Sequence, residues 1–217
     1  MEDSLPDQPG RVLVIACGAL APDLVRVRDL NHWNQIDFQC LPAELHNRPQ
    51  KIAGAVREKI RQNRQQYANI FIGYSDCGTG GALDRVIEEE GVQRLPGAHC
   101  YEMFAGSQAF GKLHEAELGT FYLTDFLASH FERLVIRGMG LDRFPELKDQ
   151  MFGAYKKLVY LAQLEDDKID QMARDAADYL GLEYEKIQTG DRGLESALAV
   201  QIGRPGSVSP KTHLHRR

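Results

Sequence analysis

The feature that most constrains this chain is an alternation. From Arg11 onward, short apolar runs recur between longer segments whose apolar residues fall every three or four positions. Strands buried on both faces read as continuous apolar runs, and parallel strands need helical crossovers between them, so this alternation marks a βαβ chain. The runs RVLVIAC, IDFQCL, NIFIGYS, AHCYEM, GTFYLT, RLVIRG and LEYEKIQ are predicted strands. Between them, Ile52, Val56 and Ile60 form one helical stripe, and Leu83, Val86 and Ile87 another after GTGG. Tyr155, Leu158, Val159 and Ala162 form a third, in a segment that begins near Pro145. A further helix runs from Asp166 to Tyr179 and closes at Leu180-Gly181, which predicts a helical hairpin with the segment before it. The expected fold class is α/β: a single-domain, Rossmann-like fold with a mainly parallel sheet flanked by helices.

No internal repeat, low-complexity block or linker divides the chain, so one α/β domain is expected over residues 11–202. A flexible N-terminus of residues 1–10 and a flexible C-terminal tail of residues 203–217 flank it, the tail being polar and rich in turn residues. A chain of 217 residues buries a core large enough to fold without disulfides or structural metal, so any bound metal would be functional. The net charge of -5 argues against nucleic acid as a partner, because that affinity comes from clustered Lys and Arg. MEDSLPDQPG lacks the basic start and apolar run of a secretory signal, and no run reaches membrane-spanning length; a cytoplasmic protein without a membrane partner is expected. In that reducing compartment Cys17, Cys40, Cys77 and Cys100 read as thiols, metal ligands or core residues rather than disulfides.

Ligands of an open parallel sheet sit beyond the carboxyl ends of its strands. Four unusual sequences fall there: Cys17-Gly18-Ala19, Leu45-His46-Asn47, Ser75-Asp76-Cys77-Gly78-Thr79-Gly80-Gly81 and His99-Cys100-Tyr101-Glu102. Successive parallel strands repeat one directional layout, so Cys17, Cys77 and Cys100 are expected to converge as three metal ligands. Soft sulfur donors favour zinc, or alternatively an iron-sulfur cluster, and three ligands leave a fourth position for substrate or water. The competing reading is three ordinary buried cysteines, since no CxxC spacing is present. Cys40 lies inside a predicted strand and reads as a packing residue.

His46 is the best nonthiol candidate, as a ligand, as a group that orients substrate or water, or as a helix cap. His99 would point away from Cys100 in regular extended chain. Glu102 and Asp76 flank proposed ligands, where a carboxylate either exchanges a proton or caps a helix; His46 and Glu102 are the candidate catalytic pair. Gly78 and Gly80 permit close backbone approach to an anionic cofactor group. The loop lacks the Lys-Ser/Thr of a phosphate loop, so nucleotide binding ranks low. Tyr74 and Tyr101 line a pocket or pack. Thr124-Asp125, Asp142 and Arg143 lie near the same rim, Arg143 reading as part of an exposed ion pair, and Thr189-Gly190-Asp191 reads as a turn and helix cap.

The patterns CGA, LPAELHN, YSDCGTGG, HCYE, GTFYLTDFL, GLDRFPEL and YLAQ, taken together, resemble an uncharacterised bacterial and archaeal domain-of-unknown-function family over about residues 11–198. That family is often associated with corrinoid-dependent methyltransferases and their activators. The resemblance implies a one-carbon setting and, as candidate partner, a corrinoid protein or methyltransferase; it carries no residue roles. The expected function is a metal-dependent, zinc-thiolate enzyme that activates a thiol or methyl acceptor, with a small-molecule substrate. The alternatives are a noncatalytic metal- or cofactor-binding accessory of a methyltransferase system, an iron-sulfur protein, and a purely structural or signalling domain.

Overall fold

The computed structural model describes residues 10–67 and 69–202, so the expected flexible ends fall outside the described residues apart from Gly10. Two parallel sheets form the frame. In the first, β2 (Ile36–Leu41), β1 (Val12–Cys17), β3 (Asn69–Gly73) and β4 (Gln93–Arg94) lie in the order β2-β1-β3-β4. In the second, β5 (Thr120–Thr124), β6 (Lys157–Ala162) and β7 (Glu183–Gln188) lie in that order. The α/β class with parallel sheets flanked by helices is the one expected, although the strands divide between two sheets.

β1 is buried at all six positions because it runs between two strands with helices over its faces. Its register sets Val12 opposite Ile36 and Asn69, and Cys17 opposite Leu41. The crossovers are α1 (Ala21–Leu30), α2 (Ile52–Asn63) and α3 (Ala82–Glu90). The stripe of Ile52, Val56 and Ile60 is fully buried, as the spacing predicts. Burial of such side chains stabilises by about 1.5–3 kcal/mol each. At Gly73 a Cβ would stand 2.7 Å from the Ala16 Cβ, so β1 and β3 close up only because this position has no side chain.

Three predicted elements differ. AHCYEM is not a strand: Cys100 opens α4 (Cys100–Ala105), which α5 (Ser107–Ala116) follows, and the strand of this crossover is the short β4. RLVIRG belongs to a π-helical segment, Glu132–Arg137, after α6 (Asp125–Ser129). Phe131, Leu134 and Val135 are buried there at i, i+3 and i+4, a helical spacing that a contiguous apolar run disguises. KLVYLA is the strand β6 rather than a helix, which removes the predicted hairpin. Leu158 to Ala162 are all buried between β5 and β7, and an unbroken apolar run contains a helical stripe as a subset of itself.

α7 (Leu147–Phe152) precedes β6, and α8 (Asp167–Leu180) crosses from β6 to β7. The Asp166 carboxylate caps α8 by accepting from the Lys168 and Ile169 amides, and Gly181 ends it at φ +75°. α9 (Arg192–Ile202) returns to the first half of the molecule, where Leu194 and Leu198 join the core of the first sheet. Beside it, the Arg26 guanidinium of α1 donates to both Asp23 and Asp191. Among the described residues, no helix is long and apolar enough to cross a membrane.

Candidate thiol site

The loop after β3 carries the site. Its backbone is zipped to the segment before α4: the Asp76 amide donates to the Gly97 carbonyl at 3.2 Å, and the Cys77 amide to the Ala98 carbonyl at 2.8 Å. Ser75 Oγ adds a bond to the Pro96 carbonyl at 2.9 Å. These bonds place Cys77 against the start of α4, where Cys100 stands. Cys77 itself adopts φ +50°, a left-handed conformation uncommon for a residue with a Cβ. Asp76 organises the turn by accepting from Thr79 Oγ1 at 2.6 Å and from the Gly81 and Gly80 amides at 3.0 and 3.3 Å. The Thr79 hydroxyl, followed by these amides, holds the Asp76 carboxyl below the usual range. Asp76 therefore braces the turn ahead of α3 rather than capping the helix, whose N-cap position is Gly81.

Cys17, at the end of β1, is 6% exposed and Cys77 is 7% exposed. With Cys100 they line one cavity of about 90 Å³, so the chain does bring these three thiols to a common space. His46, from the short 3-10 turn Ala43–Asn47, lines the same cavity, as do Tyr74 and Tyr101. The far wall comes from the second half of the molecule: Phe121 and Thr124 of β5, Phe126 and Leu127 of α6, Leu134 and Val135 of the π-helical segment, and Met139. Asn47 Nδ2 ties the His46 turn to this wall by donating to the Leu134 carbonyl at 2.8 Å. Apart from Thr124, expected near the rim, this wall is what sequence reasoning missed, because its central segment looked like a strand.

The electrostatics separate the three thiols. Burial pushes Cys17 up to about 11. Cys77 is lowered, chiefly because the Cys100 thiol hydrogen-bonds to its sulfur, while Cys100 is raised well above the ordinary thiol range by that same partner and by burial. Of this neighbouring pair, Cys77 is the thiol shifted toward its thiolate. His46 reaches solvent at one edge, yet burial against the cavity wall, with nearby His99, lowers its pKa and favours the neutral imidazole. Among the described residues, no Asp, Glu, Lys or Arg lines the cavity.

The other candidates lie elsewhere. Glu102 is not among the lining residues; its carboxylate accepts from the Ala98 amide at 3.1 Å. Gly78 and Gly80 shape the Asp76 turn at φ +79° and +61° and do not line the cavity. His99 is exposed at the N-cap position of α4. Cys40 is exposed on the edge strand β2, so it does not pack as the strand pattern predicts. Asp142 and Arg143 form an exposed pair at 4.0 Å, and Asp191 binds Arg26 at 2.6 Å. The donor set of the cavity is chemically suited to a soft metal, but among the described residues no group of three or more His, Cys, Asp or Glu side chains stands ready to hold one.

Residues 40–198 match the family model described as a protein of unknown function, DUF1638. The chain belongs to this family. The matched stretch holds Cys77, Cys100, His46 and the whole second sheet, whereas Cys17 precedes it, so the DUF1638 match covers two of the three thiols. No curated protein and no solved structure matches the chain.

Proposed function

We propose that this protein is a zinc-thiolate enzyme that activates a small thiol or methyl acceptor in a corrinoid-linked one-carbon setting. The observation that supports the reading is the arrival of Cys17 from the end of β1, Cys77 from the loop after β3 and Cys100 from the start of α4 at one cavity. Cys17, Cys77 and Cys100 would hold the metal, and the lowered Cys77 thiol is the ligand most ready to bind, since thiolates and not thiols coordinate. Bound zinc would supply Lewis acidity, lowering the pKa of a thiol or water at its open position. His46, which lines the cavity and whose pKa is lowered by burial and by nearby His99, would accept a proton there. Phe121, Phe126, Leu134 and Met139 give the sulfurs an apolar wall on one side. The one-carbon setting and a corrinoid protein or methyltransferase as partner rest on the sequence resemblance alone.

Elemental analysis of the purified protein and of Cys17→Ser, Cys77→Ser and Cys100→Ser tests the ligand set. One zinc per chain in the parent and a loss in every variant is expected; unchanged stoichiometry in all three rejects it. Iron with visible absorbance after anaerobic purification would select the iron-sulfur alternative instead. A metal-free reading, in which Cys77 acts as a nucleophile, is favoured by the lack, among the described residues, of a side-chain group arranged to hold a metal and by the shift of Cys77 toward its thiolate. It predicts alkylation of Cys77 before the other thiols in protein that contains no metal. Substrate turnover without a partner protein separates an enzyme from an accessory.

A further inference from the structure

Independently of any metal, the loop after β3 and the start of α4 set two thiols against each other. Cys77 takes the first central position of the turn Asp76–Thr79, which the Thr79 amide closes on the Asp76 carbonyl at 3.1 Å. Cys77 at φ +50° and Gly78 at φ +79° are both left-handed there. Turns of that kind favour Asn and Gly, because a larger side chain crowds its own backbone in this region. Residues kept in such conformations cluster at working sites. The bonds from the Asp76 and Cys77 amides and the Ser75 hydroxyl to Gly97, Ala98 and Pro96 fasten the turn to the residues just before Cys100. The Cys77 and Cys100 sulfurs are in side-chain contact, whereas the Cys17 sulfur is engaged by the Ala19 amide. Two sulfurs in contact need only a small approach to reach the disulfide separation of about 2.05 Å. The cavity they share limits what can reach them. It opens beside the exposed His46, and its volume of about 90 Å³ admits a few heavy atoms, given that one water needs roughly 10–15 Å³ on this measure.

We propose that Cys77 and Cys100 form a dithiol centre that reduces a small hydroperoxide in this cavity and is left as an intramolecular disulfide. One sulfur of the pair attacks an oxygen of the peroxide. The O–O bond breaks, the sulfur becomes a sulfenic acid, and the departing oxygen leaves as water or an alcohol with the thiol proton. The second sulfur then attacks the first, the S–O bond breaks, and hydroxide leaves as water with the second thiol's proton. The two thiols give up two electrons and two protons, and the hydroperoxide gains them. Cys17 takes no part, and a bulky hydroperoxide or a peptide disulfide is too large for the space that admits hydrogen peroxide. This activity goes beyond the metal reading and does not depend on it.

The test is oxidation of the full chain, as purified and after EDTA treatment, with hydrogen peroxide, cumene hydroperoxide or oxidised glutathione, each rate being taken relative to that of free cysteine. Free thiols are counted, non-reduced peptides are mapped by mass spectrometry, and zinc is measured in the same samples. About one equivalent of hydrogen peroxide should remove two thiols, yield a peptide pair joined through Cys77 and Cys100, and be reversed by dithiothreitol. The two larger oxidants should act at least tenfold more slowly. Cys17→Ser should form the same linkage at the parent's rate within about twofold, while Cys77→Ser and Cys100→Ser should form no reversible disulfide and leave any sulfenic acid to be trapped by dimedone. Linkage through Cys17, equal rates with the larger oxidants, or no linkage in either sample of the parent would each overturn the proposal; the last two need no variant to fold. Zinc held by a chain whose thiols resist peroxide in both samples refutes this centre and leaves the metal reading standing. The Cys77–Cys100 disulfide in protein that never held zinc does the reverse.

Discussion

The carboxyl ends of β1 and β3 and those of β5 and β6 occupy the same topological position in their sheets, yet they use their polar residues in opposite ways. At the second sheet, Asp125 is buried and fully provided for. It accepts from Tyr160 Oη at 2.7 Å, the Leu164 amide at 2.9 Å and the Gln163 amide at 3.0 Å, while its own amide donates to Gln163 Oε1 at 2.9 Å. At the first sheet the corresponding positions hold thiols and a neutral imidazole around a cavity. A polar cluster whose every member is satisfied braces strands to one another, whereas one that leaves donors and soft nucleophiles facing empty volume is arranged for something else to bind. The second sheet then supplies one wall of the cavity that the first sheet lines with sulfur.

The sharpest way to break this contrast is to remove the brace. Asp125→Ala strands three donors in the interior and is expected to cost about 3–5 kcal/mol in urea denaturation, leaving zinc content per folded molecule unchanged. A loss under about 1 kcal/mol would mean that the Asp125 cluster is not structural. Next in size is a pH effect at the joint between the two regions, where Asp23 and Asp191 share Arg26. Burial raises Asp23 to about 6 despite that guanidinium, with a smaller push from the Asp191 charge. In the unfolded chain Asp23 ionises near pH 4, so between pH 4 and pH 6 the folded state binds the extra proton and stability falls as pH rises. A decline on the order of 1–2 kcal/mol across that window is expected, and Asp23→Asn should flatten it; an unaltered slope in the variant would show that another group is responsible.

Smaller again is Tyr160→Phe, which leaves Asp125 with its two amide donors. Its expected cost is about 1–2 kcal/mol by thermal unfolding. Smallest in stability is Cys77→Ser at the first sheet, expected within about 1 kcal/mol of the parent. A large destabilisation there would turn the thiol cluster into a packing cluster and erase the comparison.

Much of this division was legible in the chain. Short apolar or β-rich runs identified β1, β2, β3, β5 and β7, and the strand-end rule pointed to Cys17, His46, Cys77 and Cys100 as neighbours across 84 positions of sequence. What periodicity alone could not resolve was the middle. The run at Leu158 to Ala162 satisfies helix and strand templates alike, and only its partners β5 and β7 decide it. The run at Leu134 to Ile136 lacks a neighbouring strand and coils instead, which is why the far wall of the cavity went unforeseen. Glu102 looked catalytic from its place beside Cys100, but one helical turn carries its carboxylate back to the Ala98 amide.

The account's central claim concerns sulfur at the first sheet, and zinc K-edge X-ray absorption of the purified, zinc-loaded protein addresses it most directly. Three sulfur scatterers at about 2.3 Å with one lighter ligand are expected. A shell of nitrogen and oxygen alone, or a single sulfur, would contradict it.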